Sequence, residues 1–96
     1  MRRMNPGDDV YRQTLYDVLE GFAKKRGYRS LNEPYLRIGA STVPTRAHAQ
    51  GYWLRFERIA QVLDLLGVPL MIFALRFDAE LAIRRAADKP PAPLDR

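Results

Sequence analysis

The sequence predicts an all-α fold, with five helices in one compact domain. Three observations carry that expectation. Apolar residues recur at helical spacing in two long stretches: Tyr11, Leu15, Val18 and Phe22, then Trp53, Phe56, Ala60 and Leu63. Glycines at 27, 39, 51 and 67 each follow a stretch that can be helical, where a left-handed residue closes the last turn. Prolines at 34, 44 and 69 each stand where such a stretch opens and a missing N–H costs nothing. The chain has 96 residues, 47% hydrophobic and 28% charged, which is the composition of a small folded domain and not of a disordered segment.

The elements follow in order. Pro6-Gly7 breaks the chain, and Asp8 or Asp9 can cap a first helix over about 9–26. Thr14 and Leu19 flank its apolar face, and Lys24, Lys25 and Arg26 in its last turn suit the helix dipole. Ser30 or Asn32 can cap a short second helix over about 32–38, whose apolar content is Tyr35, Leu36 and Ile38. Gly39-Ala40-Ser41 reads as a tight turn. A third helix then opens at Thr42 or Val43 and ends before Gly51. It is short, polar and alanine-rich, so it is expected to be exposed on one face and packed through Val43 and Ala47 on the other. The fourth helix adds Ile59, Val62 and Leu66 to its apolar stripe, and Trp53 is expected in the core, as burial is for Tyr28 and Tyr52. The fifth, about 69–87, begins with six consecutive apolar residues, Leu70 to Leu75. One face can cover the first and fourth helices. The other calls for a second partner, and in so small a domain a second copy is favoured over burial within the monomer. The domain plan is a flexible N-terminus at 1–8, the helical domain at 9–87, and a Pro-rich disordered tail at 88–96.

Composition excludes several chemistries. No cysteine is present, so disulfides, thiolate metal sites and cysteine nucleophiles are out. His48 is the sole histidine, which rules out a multi-histidine zinc site and leaves a single candidate base for a serine triad. Asp78 and Glu80 stand two apart and do not share a helix face. No P-loop, G-x-G-x-x-G or G-x-S-x-G pattern occurs. The chain is therefore expected not to be an enzyme, and neither a cofactor nor a metal is expected. The N-terminus lacks the apolar stretch of a signal peptide, and no run approaches the ~20 residues of a membrane span, so a soluble cytoplasmic protein without a membrane partner is expected.

Charge is unevenly placed. Residues 22–58 hold eight basic side chains, Lys24, Lys25, Arg26, Arg29, Arg37, Arg46, Arg55 and Arg58, against Glu33 and Glu57, a net of +6 in a chain whose total is +5. Of the basic residues 13 are arginine and 3 lysine. Excess positive charge in the middle of a small domain is what a phosphate-facing surface requires, although a merely basic solvated surface gives the same count.

The order of elements points further. A long amphipathic helix precedes two short ones joined at a glycine turn, the second of them polar, and an apolar helix follows. A helix-turn-helix reader is assembled this way, because the polar helix must be held rigidly at the surface by neighbours that carry the core. Leu36-Arg37-Ile38-Gly39-Ala40-Ser41-Thr42-Val43 resembles the turn region of the phage-repressor helix-turn-helix family (Cro/CI or lambda CII-like). Phe56 to Leu70, with Ile59-Ala60 and Leu66-Gly67-Val68-Pro69-Leu70, resembles the helix that follows it. The likeness covers roughly residues 10–75, and the added last helix is similar to that of phage activators of the lambda CII type, which oligomerise through it. Two positions depart from the pattern. Tyr35 stands where a small residue is usual, and Thr45 where an apolar one is usual, with Val43 two positions early. A shortened turn or a different placement of the helices would accommodate both.

The resemblance implies roles by position. Ser41, Thr42, Thr45, Arg46, His48 and Gln50 would read bases, with Arg46 suited to guanine and Gln50 to adenine. For His48 an ordinary surface position is at least as good a reading. Lys24, Lys25, Arg26, Arg29, Arg37 and Arg55 would contact phosphates, and Leu70, Met71, Phe73, Ala74 and Phe77 would form a homodimer interface. The function so implied is a sequence-specific duplex-DNA-binding transcriptional regulator of phage or mobile-element type. The rival is a small protein-binding adaptor or inhibitor that engages its partner through the apolar start of the fifth helix.

Overall fold

The computed structural model describes residues 6–88, with the side chains of residues 10–87. It is all-helical: α1 (Pro6–Lys25), α2 (Asn32–Arg37), α3 (Pro44–Ala49), α4 (Phe56–Leu66) and α5 (Leu70–Asp88), with no strand among the described residues. α1 opens three residues earlier than the sequence suggests, with Pro6 at its first position, so residues 6–8 belong to it. The rest of the expected flexible N-terminus, 1–5, and the tail beyond Asp88 lie outside the described residues.

α1 is the spine. Leu15, Val18, Leu19 and Ala23 on its inner face are buried, and Tyr11 and Phe22 at the edge of that face are half-buried. Thr14 is fully buried among them. Its hydroxyl donates to the Val10 carbonyl oxygen at 2.6 Å, so the buried polar group is satisfied within its own helix. α5 lies along α1 through Phe73, Phe77 and Leu81. Beside that seam Arg84 bridges the two helices, pairing with Asp17 at 2.8 Å and with Glu80 at 3.1 Å. Burial works against the charge of Arg84, but the bonds and charges of Asp17 and Glu80 outweigh it and raise its pKa.

α4 closes the core from the other side with Ile59, Val62, Leu63 and Leu66, a spacing of i, i+3, i+4, i+7. All four are expected there from the sequence, but Ala60 is only half-buried and Trp53 and Phe56 take no part in the stripe. The helix begins only at Phe56, after Arg55 in extended conformation, so Trp53 is not on it and Phe56 opens it facing solvent. Gly67, at φ 71°, ends α4. The Val68 N–H then returns to the Leu63 carbonyl at 2.9 Å, and the chain bends by 111° into α5. No single helix among the described residues is long and apolar enough to cross a membrane.

Candidate nucleic-acid interface

α3 has six residues and buries only Pro44 and Ala47. A helix that short cannot hold itself, so its place depends on what its neighbours supply. α2 supplies a cap. The Asn32 side-chain oxygen accepts from the Thr45 N–H at 3.1 Å and from its hydroxyl at 3.0 Å, satisfying a donor that the formal N-cap, Val43, has no side chain to meet. Asn32 opens α2 but its side chain is turned to α3, and two other bonds order the approach to α2. Ser30 Oγ accepts the Asn32 N–H at 3.3 Å, and the Glu33 carboxylate accepts the Arg29 N–H at 2.6 Å.

α1 supplies a clamp. Arg12 Nη1 donates to His48 Nδ1 at 2.7 Å and to the His48 carbonyl oxygen at 2.8 Å. A guanidinium only donates, so Nδ1 accepts and a neutral ring carries its proton on Nε2. Tyr16 stacks on the same ring, with centroids 4.9 Å apart, and its hydroxyl lies 3.4 Å from Thr45 Oγ1. Thr45, although exposed, and the half-buried His48, both candidates for base contact, therefore have the Thr45 hydroxyl and His48 Nδ1 engaged by α1 and α2.

The remaining candidates face solvent. Arg46 and Gln50 are exposed four residues apart, on one side of α3. Ser41 and Thr42 are exposed too, but in the connection before α3 and not on its first turn. That connection, residues 38–43, is longer than the tight turn expected at Gly39. Gly39 takes φ 82°, and the Ala40 N–H closes α2 onto the Tyr35 carbonyl at 3.1 Å.

Between this connection and the start of α4 lies an open cleft of about 350 Å³. Ser41 and Thr42 line one side, Trp53, Arg55 and Arg58 the other, and Tyr35 is among its walls. Tyr35 is 2% exposed and its hydroxyl has no hydrogen-bond partner. Burial pushes the pKa of that hydroxyl up, against the opposing charge of Arg58. Trp53 and Tyr52 are 45% and 48% exposed, so neither is the core residue the sequence suggests. The cleft brings two guanidiniums, two small hydroxyls and an open indole face together with no carboxylate in its lining.

The expected phosphate contacts fall into separate groups. Arg55 sits at the cleft and pairs loosely with Glu57 at 3.9 Å, both largely exposed. Arg37 lies over the Tyr28 ring, 5.7 Å from its centroid. Lys24, Lys25 and Arg29 are exposed. Lys24 is about 12 Å along α1 from Tyr16, where α3 packs. Arg26 folds across the C-terminal end of α4, so that a β-carbon at Gly67 would stand 3.2 Å from its Nη2. Among the proposed interface residues of α5, Leu70, Met71 and Ala74 are exposed, but Phe73 is 8% exposed and Phe77 half-buried. Those two rings stack 6.1 Å apart and pack into the monomer core, because they share the face of α5 that meets α1.

Sequence reasoning passes over Arg12 and Tyr16, offers Asn32 as a cap for α2 and not for α3, and counts Arg58 only among the basic residues of the middle window. No periodicity marks them, since each acts across elements distant in the chain. Only the +6 window holds a signal, and only for Arg58. Among the described residues no group of three acidic or histidine side chains could hold a metal ion. Comparison with family models, with curated proteins and with solved structures finds no match, so the functional reading rests on the residues themselves.

Proposed function

We propose that the chain is a sequence-specific duplex-DNA-binding regulator of phage or mobile-element type that acts as a homodimer, with α2 and α3 as its helix-turn-helix. One observation carries the reading. The polar helix α3 is fixed from behind by Arg12, Tyr16 and Asn32, while its outer side presents Arg46 and Gln50 next to a carboxylate-free cleft bearing Arg55 and Arg58. A rigid donor-rich helix edge flanked by guanidiniums suits a base edge between two phosphates. Arg46 and Gln50 read bases in this scheme. Ser41, Thr42, Arg55 and Arg58 hold the adjacent phosphates, and Lys24 and Lys25 add diffuse attraction. Thr45 and His48 position the helix.

Selection of bound duplexes from a random library at near-physiological salt tests it. A palindrome with half-sites about one helical turn apart is the expected result. Arg46→Ala then relaxes preference at one position, at a cost of about 1–3 kcal/mol for the favoured base, whereas Lys25→Ala weakens all sequences alike and lowers the salt slope by about 1. Recovery of no motif, with binding that fades as salt rises, removes the reading. The exposed Leu70 and Met71 at the opening of α5 favour a second reading, a protein-binding adaptor. A weakly heparin-retained monomer would support it.

A further inference from the structure

α5 has two apolar faces. Phe73, Phe77 and Leu81 meet α1. On the opposite side Leu75, Ala79, Ala82 and Ala86 recur at spacings of 4, 3 and 4, Ile72 extends the row at its N-terminal end where it also borders the cleft between α1 and α5, and all five are exposed. Ile72 is 49% exposed and Leu75 62%, and no charged residue interrupts the stripe. A surface helix held by one face should be polar on the other. A 3.5-residue apolar repeat on the solvent side is the pattern of a helix that pairs with another helix.

We propose that this outer stripe of α5 pairs with the same stripe of a second copy, the two helices running antiparallel. The inference rests on the homodimer half of the reading above and is independent of its DNA half. It replaces the interface suggested by the sequence, since Phe73 and Phe77 are spent within the monomer.

Three features select the second copy and its direction. The first is volume. Large residues occupy the N-terminal end of the stripe and alanines the C-terminal end. Antiparallel pairing sets Leu75 against the partner's Ala86, and Ala79 against the partner's Ala82, so large never meets large and the seam is closest at its alanine centre, with one leucine at either end. Parallel pairing would put large on large at one end and leave a gap at the other. The second is charge. Asp78 and Arg85 flank the stripe on the same side, seven residues apart. An antiparallel pair sets Asp78 of each copy near the partner's Arg85, twice by symmetry, whereas a parallel pair sets Asp78 beside the partner's Ile83. The third is the helix dipole, which favours opposed directions. The alanines also permit close approach, toward the lower end of the 8–10 Å range of helix axes.

Sedimentation of the full chain without DNA tests the proposal. The wild type is expected to be a dimer at micromolar concentration. Leu75→Arg should raise the dissociation constant about 100-fold or more, with unchanged circular dichroism, because Leu75 makes no core contact in the monomer. Asp78→Arg sets like charges together and should weaken the dimer about tenfold. The double variant Asp78→Arg with Arg85→Asp should restore it. A wild-type monomer at hundreds of micromolar overturns the proposal, as does a Leu75→Arg variant that still dimerises. Failure of the double variant to restore the dimer overturns the antiparallel direction. Retention of a monomeric wild type by vesicles of anionic and neutral phospholipid would assign the stripe to a lipid surface instead. A dimer that selects no DNA motif leaves this inference standing and removes the DNA reading alone.

Discussion

α3 and α4 are consecutive helices held in opposite ways. α4 has eleven residues and drives Ile59, Val62, Leu63 and Leu66 into the core. α3 has six, commits Pro44 and Ala47, and takes the rest of its support from Arg12, Tyr16 and Asn32 on other helices. One is fastened by its own apolar stripe, the other by polar contacts from neighbours. A helix meant to present its side chains to a partner cannot also bury them. What holds it must come from behind, and hydrogen bonds with defined geometry fix its angle as well as its place.

The contrast predicts effects of different size and kind. Leu63→Ala removes a side chain that is 2% exposed at the centre of the core. It should cost about 2–5 kcal/mol and lower the thermal midpoint of the whole domain as one transition. A loss confined to α4, with the other helices intact, would show that α4 is not integral to the core.

Arg12→Ala should cost less, about 1–2 kcal/mol, since its two bonds to His48 are only partly buried. Its effect should be local. Amide exchange in α3 should speed up while α4 and the middle of α1 keep their protection. On the DNA reading, affinity should fall further than stability does, although Arg12 itself touches no DNA. Equal loosening across all helices would mean that the clamp supports the core and not α3 in particular.

The sequence was most legible where burial is periodic. The all-helical class, five helices and their glycine-marked ends follow from spacing and from residues at 27, 39, 51 and 67. Where apolar residues lie beside a helix without belonging to it, the pattern misled. Trp53 extends the α4 stripe on paper, but the extended Arg55 breaks the phase between it and the helix, and Phe56, the first residue of α4, stands exposed at its open end. α5 misled differently. A run of six apolar residues cannot say which of them face inward, so Phe73 and Phe77 were indistinguishable from Leu70 and Met71 until α1 took its place beside them. In the candidate interface the residue types were readable, but which of them face out was not. Thr45, Arg46 and His48 are all polar, and only the positions of Arg12, Tyr16 and Asn32 from distant segments sort them.

Asn32→Ala gives the smallest effect and the sharpest separation of the two helices. Asn32 takes no part in the core, and its side chain makes no bond within α2, whose first N–H is met by Ser30 Oγ. Its oxygen serves α3 alone, through the Thr45 N–H and hydroxyl. Loss of a cap bond costs about 1 kcal/mol, and the exposure of this one puts it at or below that figure. Global stability should hardly move. Exchange of the Thr45 amide should rise at once, and the first turn of α3 should fray, swinging the connection that carries Ser41 and Thr42. Asn32→Asp should keep the acceptor and with it the protection of Thr45. Were Ala and Asp to behave alike, the cap would be incidental, and the angle of α3 would be set by Pro44 and Ala47 after all.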